Sequence, residues 1–294
     1  MTEQPRRASG EVRLTDASSL TLLMRRIDAA ADGEPAPDTV STGFPSLDRL
    51  LGGGVRGGDL VVLGGDVGSG KSALALAIAL RAAQEGCGAA FLSGEMTPER
   101  TLERALAIEG RVRVDDIRRG AFDESARAAL GAAALRLRDA APAIDRFGAG
   151  GVDALADTLR RALDVRLAVV DSLQALAGGA RPRDEELATA VLHLKVLAIE
   201  LGVALLVTAH LPALTRGRTD PRPTLQDFGT LGAVGEHADV VLGLFREELY
   251  QPERANEGAT EVHALKNRNG ATGYADLYFY KQWMRFEDML DPDR

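Results

Sequence analysis

The chain has 294 residues, enough for one large α/β domain with an appendage. With 45% hydrophobic and 27% charged residues it is neither a disordered nor a membrane-spanning composition, and a net charge of −8 shows no basic excess of the kind nucleic-acid binding favours. The single cysteine, Cys87, excludes an internal disulfide and any cysteine-based zinc site.

Aromatic residues make up only 4%, so Ala, Leu and Val must build the core. The opening segment MTEQPRRASGEVRLTD has no apolar run of signal-peptide type, which points to a cytoplasmic protein with no membrane partner. Residues 1–15 are polar and Arg-rich and read as disordered. From Ser18 to Ala31 a helix is expected, because Leu20, Leu23, Met24 and Ile27 recur at i, i+3, i+4 and i+7. DGEPAP then breaks it, giving a tail plus linker helix over 1–37 and a main domain over 38–294. The helix must bury its stripe either on its own domain or on a neighbouring copy.

From Thr39 onward short apolar runs alternate with helical segments, the pattern of a mostly parallel, doubly wound sheet flanked by helices. Strands are expected at 60–63, 89–92, 143–146, 167–170, 204–208, 240–244, 261–265 and 277–280. Helices are expected at 72–84, 98–108 (capped by Thr97, with Pro98 first), 124–138, 152–163 and 185–201. Runs such as LAVV and ALLV lack polar alternation, as strands covered on both faces do. Two basic, Pro-containing loops stand out, at 178–184 and 211–223.

GDVGSGKS, comprising Gly65, Asp66, Val67, Gly68, Ser69, Gly70, Lys71 and Ser72, fits the G-x-x-x-x-G-K-[ST] pattern between a strand and a helix. Such a loop curls its N–H groups around phosphates at a helix N-terminus, with the Lys71 side chain on the β- and γ-phosphates and the Ser72 hydroxyl on Mg²⁺. Asp171 ends the run LAVVD, where a parallel sheet opens onto its ligand crevice, and is a second candidate for the metal; an Asp there also serves as a helix cap. Glu95 in FLSGEM, on the expected neighbour of the P-loop strand, suits a general base, or is a surface residue near the Thr97 cap. His210 ends another strand and could sense the terminal phosphate, although a lone His is more often structural. His193, His237 and His263 have no metal-ligand spacing. Lys266 and Arg268 alternate on an extended segment before Asn269-Gly270, so they point the same way and could clamp a phosphate, or decorate a solvated hairpin tip.

These motifs, in this order, resemble the C-terminal motor domain of DnaB-type hexameric helicases, and more distantly RadA and KaiC-like ATPases. The likeness runs from Ser18 to the C-terminus through STGFPSLDRLLGGGVRGGDLVVLGG, the P-loop, FLSGEM, LAVVDSLQAL, GVALLVTAHL, RPTLQDFGTLGAVGEHADVVLGLFREELY, LKNRNG and YFYKQWMRFED. The resemblance implies a RecA-like fold, ATP with Mg²⁺, a homo-oligomeric ring (a hexamer), and single-stranded DNA as the track. It further implies that Glu95 is the catalytic carboxylate, that Lys266 and Arg268 reach the adjacent subunit's site, and that helix 18–31 docks on that neighbour. Three departures accompany it: nothing resembles the N-terminal collar domain, His210 replaces the usual Gln, and Gly229-Thr230-Leu231-Gly232 replaces Arg-Glu-Ser-Gly in the DNA-facing loop. The donors left for DNA are Arg216, Arg218, Arg222 and the backbone N–H groups around 229–232. The alternative classes are a RadA/KaiC-like ATPase without unwinding and a regulatory ATPase that binds only proteins.

Overall fold

Five apolar runs form five parallel strands of one sheet, covered on both faces so that every second side chain serves a different core, and the more exposed edge strand AIDR makes a sixth. The computed structural model describes residues 17–33, 36, 38–162, 164–179, 181–211, 218–253 and 256–289. The chain divides into two compact units, the first ending at Thr39 and the second starting at Val40. The first contains α1 (Ala17–Ala31), on which Leu20, Leu23, Met24 and Ile27 are all about half exposed.

The second unit holds the nine-stranded sheet: β1 (Leu60–Gly65), β2 (Ala89–Ser93), β3 (Ala143–Arg146), β4 (Leu167–Asp171), β5 (Ala204–His210), β6 (Val240–Phe245), β7 (Ala259–Asn267), β8 (Gly273–Tyr280) and β9 (Arg285–Asp288). Their order is β9-β8-β7-β6-β1-β5-β4-β2-β3, parallel from β6 to β3 and antiparallel from β6 to β9. Helices α2 (Pro45–Leu51), α3 (Lys71–Gln84), α4 (Pro98–Gly110) and α6 (Glu124–Ala140) cover one face; α7 (Gly151–Arg161), α8 (Arg183–Leu201) and α9 (Ala233–His237) cover the other, with α5 (Val114–Arg119) beside α4. Along β1, Val61 and Leu63 enter the first core and Leu60 and Val62 the second. α3 is apolar on all sides and buried from Ala73 to Leu80, its alanines letting it lie close to the sheet.

All eight expected strands are present, most longer by one to a few residues than their apolar runs. β9 has no counterpart among the expected strands; RFED has only four residues and becomes a strand by pairing Phe286 with Phe279 of β8. Thr97 caps α4 by accepting from the Arg100 N–H, with Pro98 at its first turn, as expected. Among the described residues no helix is long and apolar enough to cross a membrane.

Candidate functional site

All parallel strands end on one edge of the sheet, and the chemistry-bearing residues collect there. Gly65 of β1 lies level with His210 of β5 and Leu244 of β6, while Ser93 of β2 lies level with Asp171 of β4. The loop leaving β1 turns through Gly68 and Gly70, whose φ angles of 79° and 99° suit glycine. A Cβ on Gly65 would meet Ser69 Oγ at 2.5 Å, and one on Gly70 would meet the Phe286 ring at 3.0 Å. Lys71, only 7% exposed, opens α3, and its Nζ lies 3.5 Å from the Asp66 carbonyl. Burial pushes the Lys71 ammonium below its ordinary pKa, against the pull of Asp171, Glu95 and Asp66. A desolvated cation at the N-terminus of a helix is a site for a polyanion.

Asp171, 1% exposed, accepts on Oδ1 from Ser72 Oγ at 2.8 Å and from Thr208 Oγ1 at 2.6 Å. Its carbonyl accepts from Ser93 Oγ and the Gly94 N–H, tying β4 to the turn that carries Glu95. A hydroxyl and a carboxylate in contact beside a phosphate cradle are the hard-oxygen donor set a magnesium ion takes. Among the described residues the Ser69 hydroxyl, buried in the loop, has no hydrogen-bond partner. The residues therefore fit a magnesium-bound nucleotide. A cavity of about 520 Å³ adjoins the loop, lined among others by Lys71, Ser72, Arg104, Arg246 and Phe279.

One expectation about this edge needs correcting. Glu95 does not follow the neighbour of the P-loop strand, because β5 and β4 separate β2 from β1. It reaches the site nonetheless, since its carboxylate contacts Ser172 Oγ beyond β4 and His210 Nε2 at 3.2 Å at the end of β5.

Lys266 and Arg268 occupy the opposite edge. In the antiparallel register Asn267 faces Val240, the first residue of β6, whereas the P-loop lies at that strand's far end. Six residues at about 3.3 Å each separate the two edges by roughly 17 Å. The two cations point the same way, as their alternation requires: Lys266 Nζ donates to the Gly235 and Glu236 carbonyls, and Arg268 donates to the Glu236 carbonyl and to Asp239 Oδ1.

The expected DNA donors fare differently. Arg216 lies outside the described residues. Arg218 Nη1 reaches both carboxylate oxygens of Asp227 at 2.7 Å, and Arg222 forks onto Glu261 with two bonds of 2.7 Å while stacking over Phe245. Both make internal ion pairs while remaining partly exposed. Gly229, Thr230, Leu231 and Gly232 all have positive φ, a strained run that leaves Leu231 72% exposed.

With this geometry in view, residues 39–288 match the family model described as DnaB-like helicase C terminal domain. The chain belongs to that family. It is 30% identical over 284 residues to a "Replicative DNA helicase DnaB" of Leifsonia xyli subsp. xyli, covering 95% of this chain and 62% of that protein. It is 29% identical over 257 residues to one from Geobacillus stearothermophilus, covering 85% of this chain and 56% of the relative. The chain thus spans about three fifths of the curated relatives it matches. Among solved structures, a DnaB-like replicative helicase superposes with a TM-score of 0.83 at 24% identity, covering 94% of this chain and 67% of that one. A KaiC-like protein of Pyrococcus horikoshii reaches 0.59 at 19% identity, covering 86% of this chain and 99% of that one. The fold is the expected RecA-like one, and the likeness to the DnaB-like helicase exceeds that to the KaiC-like protein.

This DnaB-like domain also uses residues the motifs did not mark. Thr208 reads as one more β-branched strand residue, yet it is the second donor to Asp171. Arg246 lies in the Arg-acidic-acidic-x-Tyr stretch, with no hint that it is buried beneath the P-loop, donating to the Gly68 and Ser69 carbonyls at 3.0 and 3.4 Å. Tyr250, in the same stretch, donates its hydroxyl to Asp66.

Proposed function

We propose that this domain is the ATP-hydrolysing motor of a DnaB-type helicase, acting in the cytoplasm in a homo-hexameric ring and using the ATP cycle to move on single-stranded DNA. In this reading the loop from Gly65 to Gly70 and the Lys71 ammonium hold the triphosphate, and Ser72 and Asp171 hold Mg²⁺. The metal supplies charge neutralisation at the phosphates. Glu95 takes the proton of the attacking water, His210 lies where the terminal phosphate is felt, and Lys266 and Arg268 of the adjacent copy neutralise charge in the transition state. The observation that supports this reading is the placement of the two cations about a strand's length from their own P-loop, which argues against their acting on their own nucleotide.

Mixing tests it. Arg268→Ala and Lys71→Ala proteins should each hydrolyse almost no ATP alone, while mixed assemblies regain part of the activity, because an intact Lys71 site then meets an intact Arg268. No recovery, with subunit exchange demonstrated separately, would show that Arg268 does not act between copies.

The internal pairing of Arg218 and Arg222 favours, as a second reading, a regulatory ATPase that does not grip DNA. The two readings part on single-stranded DNA. The helicase reading expects binding that requires nucleotide, weakens steeply with salt and stimulates hydrolysis. Backbone N–H groups around 229–232, repeated in each copy, would supply the grip.

A further inference from the structure

Glu95 sits in a closed ring of contacts. Ser172 Oγ donates to its Oε1, and Nε2 of His210 lies 3.2 Å from the same oxygen. Among the described residues Oε2 has no hydrogen-bond or ion-pair partner. The Glu95 N–H is itself anchored on Ser93 Oγ at 3.1 Å. His210 is gripped through its main chain: its N–H donates to Gln174 Oε1 at 2.9 Å and its carbonyl accepts from Gln174 Nε2 at 3.2 Å. Ser172 and Gln174 lie two residues apart on the segment leaving Asp171, so one short stretch of chain supplies one donor directly and sets the position of the neighbouring His210.

We propose that Ser172, His210 and Gln174 are positioning residues that pin one oxygen of the Glu95 carboxylate and leave the other free to accept the proton of the attacking water. The inference rests on the reading of Glu95 as general base. A glutamate has three side-chain torsions, the last of them broad, so an untethered carboxylate spends little time within about 3 Å of a given water. One hydrogen bond from Ser172 and the close approach of the His210 ring, both on Oε1, restrict that freedom and leave Oε2 as the open oxygen. The Ser172 bond goes to a carboxylate, the stronger kind of hydrogen bond. His210 takes part through its ring nitrogen Nε2, held 3.2 Å from Oε1. A Gln at the same position carries an amide N–H of comparable reach, which makes His210→Gln the conservative variant. The contact also gives His210 a task distinct from sensing phosphate: its ring acts on the carboxylate.

The experiment is a double-mutant cycle in the full-length, assembled protein, with kcat and KM for ATP hydrolysis and nucleotide affinity from a fluorescent ATP analogue. His210→Ala should lower kcat about 10-fold, the size expected of a misaimed base. KM and nucleotide affinity should change by no more than about twofold, within the context-dependence of a contact that does not touch the nucleotide. His210→Gln should restore most of the rate. Ser172→Ala should act like His210→Ala, and thermal unfolding establishes that this variant of a buried serine is folded; the part-exposed His210 keeps the test valid if it is not. In a Glu95→Gln background neither change should reduce the residual rate further. If His210→Ala lowers that residual rate by the same factor as in the wild type, His210 acts on the nucleotide and the clamp is wrong. If Glu95→Gln alone hydrolyses ATP at nearly the wild-type rate, the general-base reading fails and the clamp with it, a different and separable result.

Discussion

The two edges of the sheet hold their charges in opposite ways. At the carboxyl edge Lys71, Asp171, Ser72 and Thr208 are packed together, and their mutual contacts are complete within one chain. At the amino edge Arg268 is half exposed, resting on the Glu236 carbonyl and on Asp239. Asp239 is deeply buried and also accepts from the Leu60 N–H, the first residue of the P-loop strand, and from Lys195. One edge is thus rigid and desolvated, as phosphate binding demands, while the other keeps a long cation on an adaptable perch. The site proposed between copies would use this asymmetry, because the half that arrives from outside must be able to re-aim.

The comparison breaks most sharply at Lys71. Lys71→Ala should abolish measurable nucleotide binding and lower turnover by roughly a thousandfold or more, since the buried cradle loses its fixed counter-charge. Equilibrium binding of a fluorescent nucleotide checks this; retained micromolar affinity would count against a rigid, charge-dependent edge. Arg246→Ala should act less severely on the same edge. It removes the donor to two P-loop carbonyls and takes from buried Glu248 its guanidinium partner, leaving Lys281 and the Gly258 N–H, so stability should fall by about 3 kcal/mol and nucleotide binding should weaken with it. Urea unfolding with and without nucleotide separates the two effects.

Removing residues 1–36 sharpens the other side of the comparison. The half-exposed stripe Leu20, Leu23, Met24 and Ile27 is apolar surface fit for a partner, so truncation should weaken assembly while the unit from Val40 stays folded. Light scattering decides it; an unchanged oligomer would show that α1 takes no part in assembly.

The smallest effect is expected at Glu261, which lies level with Phe245 at the end of β6. Burial alone would raise its carboxyl, but hydrogen bonds from His263 and Arg222 hold it down to about 2. Its unfolded-state pKa is about 4.3, so its contribution to stability is full above that value and fades as pH falls toward 2. Glu261→Gln should therefore lose about 1–2 kcal/mol at pH 7. The stability curves of variant and wild type should converge as pH drops through that window. Parallel curves down to pH 2 would mean that the ion pair with Arg222 contributes no net stability.

The sites that could be read in the chain itself are those whose chemistry is carried by neighbours in sequence. The P-loop is eight consecutive residues between a strand and a helix, and Gly68, Gly70 and Lys71 do their work through local backbone conformation and the start of α3. Unbroken runs such as LAVV and ALLV announced buried parallel strands because burial on both faces removes polar alternation. The alternation of Lys266 and Arg268 told which way they point, because that follows from the period of an extended chain.

Strand order is not a local property, and whatever depended on it had to come from the tertiary structure. Only the packed sheet separates β2 from β1 and still brings Glu95 to Ser172 and His210, residues 77 and 115 positions away in the chain. Only the antiparallel register of β7 sets Lys266 and Arg268 on the edge opposite their own P-loop. Arg218 pairs with Asp227 only nine residues on, but for Arg222 only the fold reveals that Glu261, 39 residues beyond it, folds back to meet it. The sequence determined which chemical groups this domain owns and how each local segment is shaped; the pairing of strands distant in sequence decided which groups meet and which lie a strand's length apart. Local conformation depends on residues a few positions apart, whereas a charge is neutralised by whatever the fold places within about 4 Å of it.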